Sequence, residues 1–309
     1  MDSITDSLNS EFKMMSAKFK TISITHLSDL QAELMSWQLN NRITKKFYTQ
    51  NYGQFVFHPP TTIPNTQSII IIGIQQTITT IEFFYNGKPH RILLPPTYLY
   101  SDVRARCAEI LSRILGTKGH RSELAVLPMK LLAVRTGLGK YGRNNLCYVD
   151  GMGSFTRLQA FYTDYKFPTD DWCEKQLMDS CTRCSLCRDA CPTHSIPEDR
   201  ILIHADRCLT YLNENEGDFP TWLPAQSHNA LVGCLHCQTI CPQNRQYLRY
   251  SEPSITFTEE ETTTLLRQTP RDDIPKALTK KLLDLDIVEY YSVLARNLSV
   301  LLNEYHSTR

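Results

Sequence analysis

Cys181-Thr-Arg-Cys184-Ser-Leu-Cys187-Arg-Asp-Ala-Cys191-Pro192 is the stretch on which the reading of this chain turns. Three cysteines recur at gaps of three, a fourth follows at a gap of four, and a proline closes the run. Thiolates at successive gaps of three can hold three corners of one [4Fe–4S] cube, while the fourth, beyond the loop, points to a second cube. Further on, Cys234-Leu-His-Cys237-Gln-Thr-Ile-Cys241-Pro242 ends in the same Cys-Pro, and Cys208 stands alone between the two runs. The ligand sets close without remainder. Cys181, Cys184, Cys187 and Cys241 take one cluster; Cys191, Cys208, Cys234 and Cys237 take the other. Zinc is the competing occupant, because C-x2-C pairs also bind it. It gives no reason for a third cysteine at the next step or for two Cys-Pro endings.

Working outward, the chain has 309 residues, 41% hydrophobic and 21% charged, with a net charge of +1 and 11 cysteines. That is about two soluble globular domains of roughly 150 residues each. Near-neutrality excludes bulk attraction to nucleic acid or acidic membranes. The longest apolar stretch, Ile69–Ile74, falls far short of the ~20 residues of a membrane span. The polar opening Met1-Asp2-Ser3-Ile4-Thr5-Asp6 predicts no export. A cytoplasmic chain keeps its thiols reduced, so clustered cysteines there hold metal or do redox work. Cys107 reads instead as one face of a helix with Val103, Ile110, Leu111, Ile114 and Leu115. Cys147 and Cys173 read as bystanders, since eight thiols already suffice.

The pattern predicts an α+β fold in three segments: residues 1–168, 169–250 and 251–309, the last packing back on the core. The first ~50 residues read as helical and polar. Ser68–Ile74 is a β-branched run, hence a strand buried on both faces. Thr77–Tyr85 and His90–Leu94 flank Asn86-Gly87, the preferred hairpin turn. A helix over Asp102–Leu115 follows, then one from Pro128 to Gly137. Leu146–Val149 and Phe155–Tyr165 read as strands, and the cysteine region as short helical turns and loops. Thr258 with Glu261 makes a capping box, and a last amphipathic helix runs through Ile287, Tyr291, Leu294, Leu298 and Leu301.

Gly137-Leu138-Gly139-Lys140-Tyr141-Gly142-Arg143-Asn144-Asn145 contains G-x-G-x-x-G. A dinucleotide fingerprint follows a strand and opens a helix, whereas this one follows a helix and precedes a strand. Two readings stand: a capping glycine with a tight turn, or close backbone approach to a bulky ligand. Residues 101–150 carry nine Lys and Arg against four Asp and Glu. That local excess suits a phosphate-bearing ligand or a polyanion.

The glycine segment, then Gly153-Ser154-Phe155, Thr163-Asp164, the lone-cysteine stretch Asp206-Arg207-Cys208-Leu209-Thr210-Tyr211-Leu212 and the double cysteine pattern together resemble the epoxyqueuosine reductase family. The resemblance covers roughly residues 120–250 and has the character of a sister branch. It implies a nitroreductase-like corrinoid-binding domain followed by a ferredoxin-like domain with two [4Fe–4S] clusters and C-terminal helices. It implies cobalamin as a further cofactor, with Gly139, Gly142, Arg143, Asn144, Gly153 and Ser154 around the corrin or its nucleotide tail. Glu123 falls where the family has an aspartate acid, and a helical-repeat extension found in some members is lacking. Analogy with reductive dehalogenases adds Tyr98 and Tyr100 as proton donors.

The expected activity is an iron–sulfur oxidoreductase that draws electrons from a ferredoxin or flavodoxin, passes them through both clusters to a corrinoid, and reduces a substrate. That substrate is epoxyqueuosine in tRNA or a small molecule, with no membrane partner. The alternative is a two-cluster electron-transfer protein without its own cobalamin that reduces a partner protein. A third reading has the basic 101–150 segment bind tRNA directly.

Overall fold

The computed structural model describes residues 3–40, 43–199 and 202–303. Along the chain run α1 (Ser3–Met14), β1 (Ala17–Ser23), α2 (Leu27–Leu39), α3 (Lys45–Tyr52), β2 (Ser68–Gln75), β3 (Thr79–Tyr85) and β4 (Lys88–Leu94). Next come α4 (Ser101–Gly116), β5 (Ser122–Leu124), α5 (Met129–Arg135), β6 (Gly139–Tyr141), β7 (Cys147–Val149) and β8 (Thr156–Thr163). The remainder holds α6 (Leu186–Asp189), α7 (Leu209–Glu214), α8 (His236–Thr239), β9 (Ile255–Phe257), α9 (Glu259–Leu266), α10 (Lys276–Asp284) and α11 (Tyr291–Leu301). Contacts gather these into two units: residues 1–75 with 101–183, and residues 76–100 with 184–309.

In the first unit, β1, β2, β8 and β5 form an antiparallel sheet in that order. Ile69 to Ile72 of β2 are fully buried, as a central strand covered on both faces requires. One face meets α1 and α4: Ile70, Ile72, Ile74 and Phe161 pack with Leu8, Phe12, Cys107 and Leu111. Each Ile or Leu withdrawn from water there contributes about 1.5–3 kcal/mol. Cys107 is a core residue as expected, and burial pushes its thiol up to about 12. On the other face, a side chain at Gly73 would meet Leu138, Val149 and Leu158 at 3.5–3.6 Å, so the β6–β7 hairpin lies against it.

The expectation that the first ~50 residues are helical is corrected by β1. Its Ala-Lys-Phe-Lys-Thr-Ile-Ser pairs all along β2, Phe19 opposite Ile72. The run is short and lysine-bearing, which weakens its period-two signal, yet lysines suit an edge strand because they oppose further pairing. Lys18 donates to the Asp150 carbonyl at 2.7 Å, and Lys20 pairs with Asp171 at 2.7 Å.

In the second unit, β4, β3 and β9 form a sheet, β3–β4 antiparallel and β3–β9 parallel. The Asn86-Gly87 turn has φ of 51° and 69°, the double positive φ that this dipeptide supplies. Both its amides donate to the Glu259 carboxylate, at 2.7 and 3.0 Å. Thr258 and Glu261 form the expected capping box on α9. Ile81, Phe83, Leu94, Leu278, Leu282, Leu294 and Leu298 share one core, with Phe83 and Phe257 stacked at 4.5 Å. The hairpin, expected within the contiguous 1–168 segment, thus builds its core with the C-terminal helices. Its buried face is apolar, and α9 to α11 supply the apolar partner.

Candidate metal centre

Each cysteine run places its thiols on a short helical turn. Cys184 precedes α6 and Cys187 lies in it; Cys234 precedes α8 and Cys237 lies in it. The prolines after Cys191 and Cys241 deny a further helical amide and turn the chain away. Cys187, Cys191 and Ile196 form one buried cluster against which Cys237 and Ile203 pack. Cys208 sits at the N-cap of α7.

Several of these sulfurs lie close enough to act on one another's ionisation. Burial pushes the Cys237 thiol well above its ordinary value, and Cys234, Cys208, Cys187 and Cys191 add to that. Burial likewise drives Cys234 up to about 12, with Cys208 and Cys191 contributing. Burial raises Cys208 too, against its backbone hydrogen bonds and with Cys191 beside it. Cys191 differs: burial opposes its ionisation, but hydrogen bonding with Ser195 and Thr193, at 3.3 and 3.5 Å, outweighs it and holds the thiol below its usual value. Cys187, Cys191, Cys208 and Cys234 all bear on Cys237, so five sulfurs gather here, among them the four that the spacing assigns to one cluster. Cys208, Cys234 and Cys237, which burial keeps from ionising, and Cys191, whose hydrogen bonds favour the thiolate, fit a cationic iron core, which takes thiolate ligands and supplies the countercharge.

In the first unit, a short turn over Asp179–Cys181 carries the first cysteine of the run. The Arg143 amide donates to Cys181 Sγ at 3.5 Å, and its guanidinium donates to the Cys181 carbonyl at 2.8 Å. Arg143 comes from the glycine segment, which is a hairpin: Gly139 pairs with Val149 and Tyr141 with Cys147. A Cβ at Gly139 would lie 2.5 Å from Cys147 Sγ and 2.7 Å from the Tyr148 carbonyl oxygen. At Gly142 it would run into the Tyr148 ring and lie 2.7 Å from Asn144 Oδ1. Asn144 donates its amide to the Tyr148 hydroxyl at 3.0 Å, and Gly153 bridges back to Val149. Five of the six corrin candidates, Gly139, Gly142, Asn144, Gly153 and Ser154, are buried, and Arg143 is half-buried. The glycines answer to the packing of their own hairpin. Space freed by the missing side chains at Gly139 and Gly142 is filled by Cys147, Asn144 and Tyr148, so these two glycines are accounted for by the hairpin itself.

Of the candidate proton donors, Glu123 lies on edge strand β5 and accepts a hydrogen bond from the Thr62 hydroxyl. Tyr98 is buried in the core of the second unit, where its hydroxyl donates to Glu214 at 2.5 Å. Burial raises its pKa well above the ordinary value, and Glu214 and Cys208 add to that. The Tyr100 amide donates to Asp286 at 2.8 Å. The basic 101–150 segment is largely engaged. Arg113 meets Glu11 at 3.0 Å, Arg135 meets Glu33 at 2.6 Å and Glu174 at 3.1 Å, and Lys140 stands 4.0 Å from Asp179. Those acids come from distant parts of the chain, which a local count of charge does not see. Sequence reading missed Ser195, Thr193 and Glu214; the one available signal was two hydroxyl residues directly after Cys191-Pro192.

Residues 180–244 match the 4Fe-4S double cluster binding domain, a span that contains all eight cysteines. The chain is 33% identical over 123 residues to the epoxyqueuosine reductase of Staphylococcus aureus, covering 40% of this chain and 31% of that protein. It is 30% identical over 241 residues to the epoxyqueuosine reductase of Pseudomonas aeruginosa, covering 72% and 64%. Each match thus spans less than two thirds of the relative's length. A solved epoxyqueuosine reductase carrying a tRNA-Tyr epoxyqueuosine-modified stem loop superposes with a TM-score of 0.70 at 20% identity, over 97% of this chain and 80% of that one. The fold is shared. Among the described residues, no helix is long and apolar enough to cross a membrane.

Proposed function

We propose that this chain, which is similar to the epoxyqueuosine reductases, is an oxidoreductase moving electrons through two [4Fe–4S] clusters to a bound corrinoid and on to a substrate, epoxyqueuosine in tRNA or a small molecule. The observation that carries the iron–sulfur part is the match of residues 180–244 to the double-cluster domain, a span in which Cys187, Cys191, Cys208 and Cys234 gather about Cys237. Cys191, Cys208, Cys234 and Cys237 hold one cluster, and Cys181, Cys184, Cys187 and Cys241 hold the other. Ferredoxin or flavodoxin in the cytoplasm is the donor. The unit of residues 1–75 with 101–183 carries the nitroreductase-like corrinoid domain, and the unit of residues 76–100 with 184–309 joins most of the cluster region to its helical support. When bound, the corrinoid supplies a low-potential metal that gives electrons in pairs; this part rests on the family alone.

The chain's own residues supply protons and hold the clusters. Glu123 is the acid, its carboxyl oriented by Thr62. Tyr98 and Tyr100 are the other two donors, the Tyr98 hydroxyl proton being held toward the Glu214 carboxylate. Opening an epoxide to an alkene takes two electrons and two protons and releases water, so both electron and proton delivery must act twice. Protein purified without oxygen and supplied with iron, sulfide and cobalamin, each withheld in turn, tests the proposal. About eight irons per chain, a cobalt spectrum and loss of the epoxide from modified tRNA are expected. Fewer than eight irons removes the cluster reading.

A second reading, electron transfer to a partner protein without a cobalamin of this chain's own, is favoured by the closed packing at Gly139 and Gly142. It gives eight irons with no cobalt spectrum. Direct tRNA binding through the 101–150 cations would show affinity falling steeply with salt, and a salt-indifferent isotherm would remove it.

A further inference from the structure

The glycine hairpin has a second set of partners besides itself. The Tyr141 amide donates to the Gln176 carbonyl at 2.8 Å, and the Met178 amide donates back to the Tyr141 carbonyl at 2.9 Å. Leu177 bridges in parallel to Tyr141. The segment leading into the first cysteine is thus laid along the open edge of the hairpin as an added strand. One turn later, Arg143 takes Cys181 at both ends, amide to sulfur and guanidinium to carbonyl. The glycines make this approach available: with any side chain at 142, Tyr148 and the loop that carries Arg143 would be displaced.

We infer that Arg143 is a positioning residue for Cys181, and that the glycine hairpin is a clamp that fixes this ligand and raises the reduction potential of the cluster it holds. The inference rests on the proposed reading in one respect, that Cys181 is a cluster ligand. Hydrogen bonds to ligand sulfur and nearby positive charge favour the reduced, more negative cluster, and both raise its potential. The amide–sulfur bond survives substitution at 143; the cation does not. A guanidinium also fixes the Cys181 carbonyl, and with it the direction in which the thiolate leaves the turn. Cys191, by contrast, is served by Ser195 and Thr193. The two clusters are therefore tuned by different groups and are separable by mutation.

The test is Arg143→Gln in the full chain carrying both clusters, read by iron content and by redox titration followed by electron paramagnetic resonance. Expected are eight irons and one midpoint lowered, with the other unmoved. A threefold to tenfold loss in the reduction equilibrium of that cluster corresponds to about 30–60 mV, at 59 mV per decade for one electron. Loss of four irons with the second cluster's midpoint intact also supports the clamp, because the ligand is then no longer held. Unchanged midpoints with full iron, equal shifts of both, or loss of all eight irons would overturn it. Wild-type protein lacking eight irons would defeat the iron–sulfur reading itself, an outcome distinct from any of these.

Discussion

Gly142 faces the ring of Tyr148 so closely that a single methyl group at 142 would overlap it, while Asn144 closes the same gap from the other side. The contact joins the first half of the hairpin to the second and sets the path of the loop between them.

Gly142→Ala is expected to destabilise the fold by about 1–3 kcal/mol, the usual cost of overpacking a filled site. Chemical denaturation checks this. Tyr148→Leu in the same chain makes room and should recover part of the loss; an alanine that costs nothing would show that the ring has space to move.

Arg135 lies between Glu33 and Glu174, and its guanidinium stands 5.3 Å from the Trp172 ring, whose plane stacks on His26. Glu33 keeps only a tenth of its side-chain surface exposed. Arg135→Ala leaves that carboxylate paired with Lys175, and the expected cost is about 3 kcal/mol, the low end for breaking a buried pair. A double-mutant cycle with Glu33→Gln should show coupling; additive effects would mean that the pair contributes nothing specific.

His228 packs on Phe219 at 4.3 Å. Burial, then Arg296 and His236, hold its pKa down to about 4 against an ordinary 6.5. The folded protein therefore keeps it neutral where the unfolded chain takes up a proton. Its contribution is full above pH 6.5 and is lost as pH falls from there toward 4, because the unfolded state binds more protons in that window. The denaturation midpoint should fall across this range, and His228→Gln should flatten the fall. An unchanged slope in the variant would assign the acid sensitivity to other groups.

Cys208→Ala should lower the iron content from about eight to about four per chain, since each cube needs four ligands. Cys107→Ser should leave iron unchanged while costing about 1–3 kcal/mol, the penalty of a hydroxyl placed in an apolar core. Iron loss in the second variant, or none in the first, would reverse the division of thiols into ligands and bystanders.

The sequence by itself determined the parts whose information is local. Cysteine spacing pointed to a double-cluster region, the one that the family match covers, because a cube imposes short, fixed gaps on one stretch of chain. The β-branched run gave β2, Asn86-Gly87 gave its turn, and Thr258 with Glu261 gave the capping box, each a short-range rule. Only the tertiary structure decided what depends on partners far along the chain. β1 is a strand because β2 lies beside it. The β3–β4 hairpin takes its core from helices beyond residue 258. Of the cations in residues 101–150, Arg113 meets Glu11 and Arg135 meets Glu33 and Glu174. The glycine segment shows the division most clearly. Its G-x-G-x-x-G announces a close approach but not of what, because a missing side chain records only that something fills its space. Folding supplies the occupants, Cys147 and Tyr148, and brings Arg143 to Cys181.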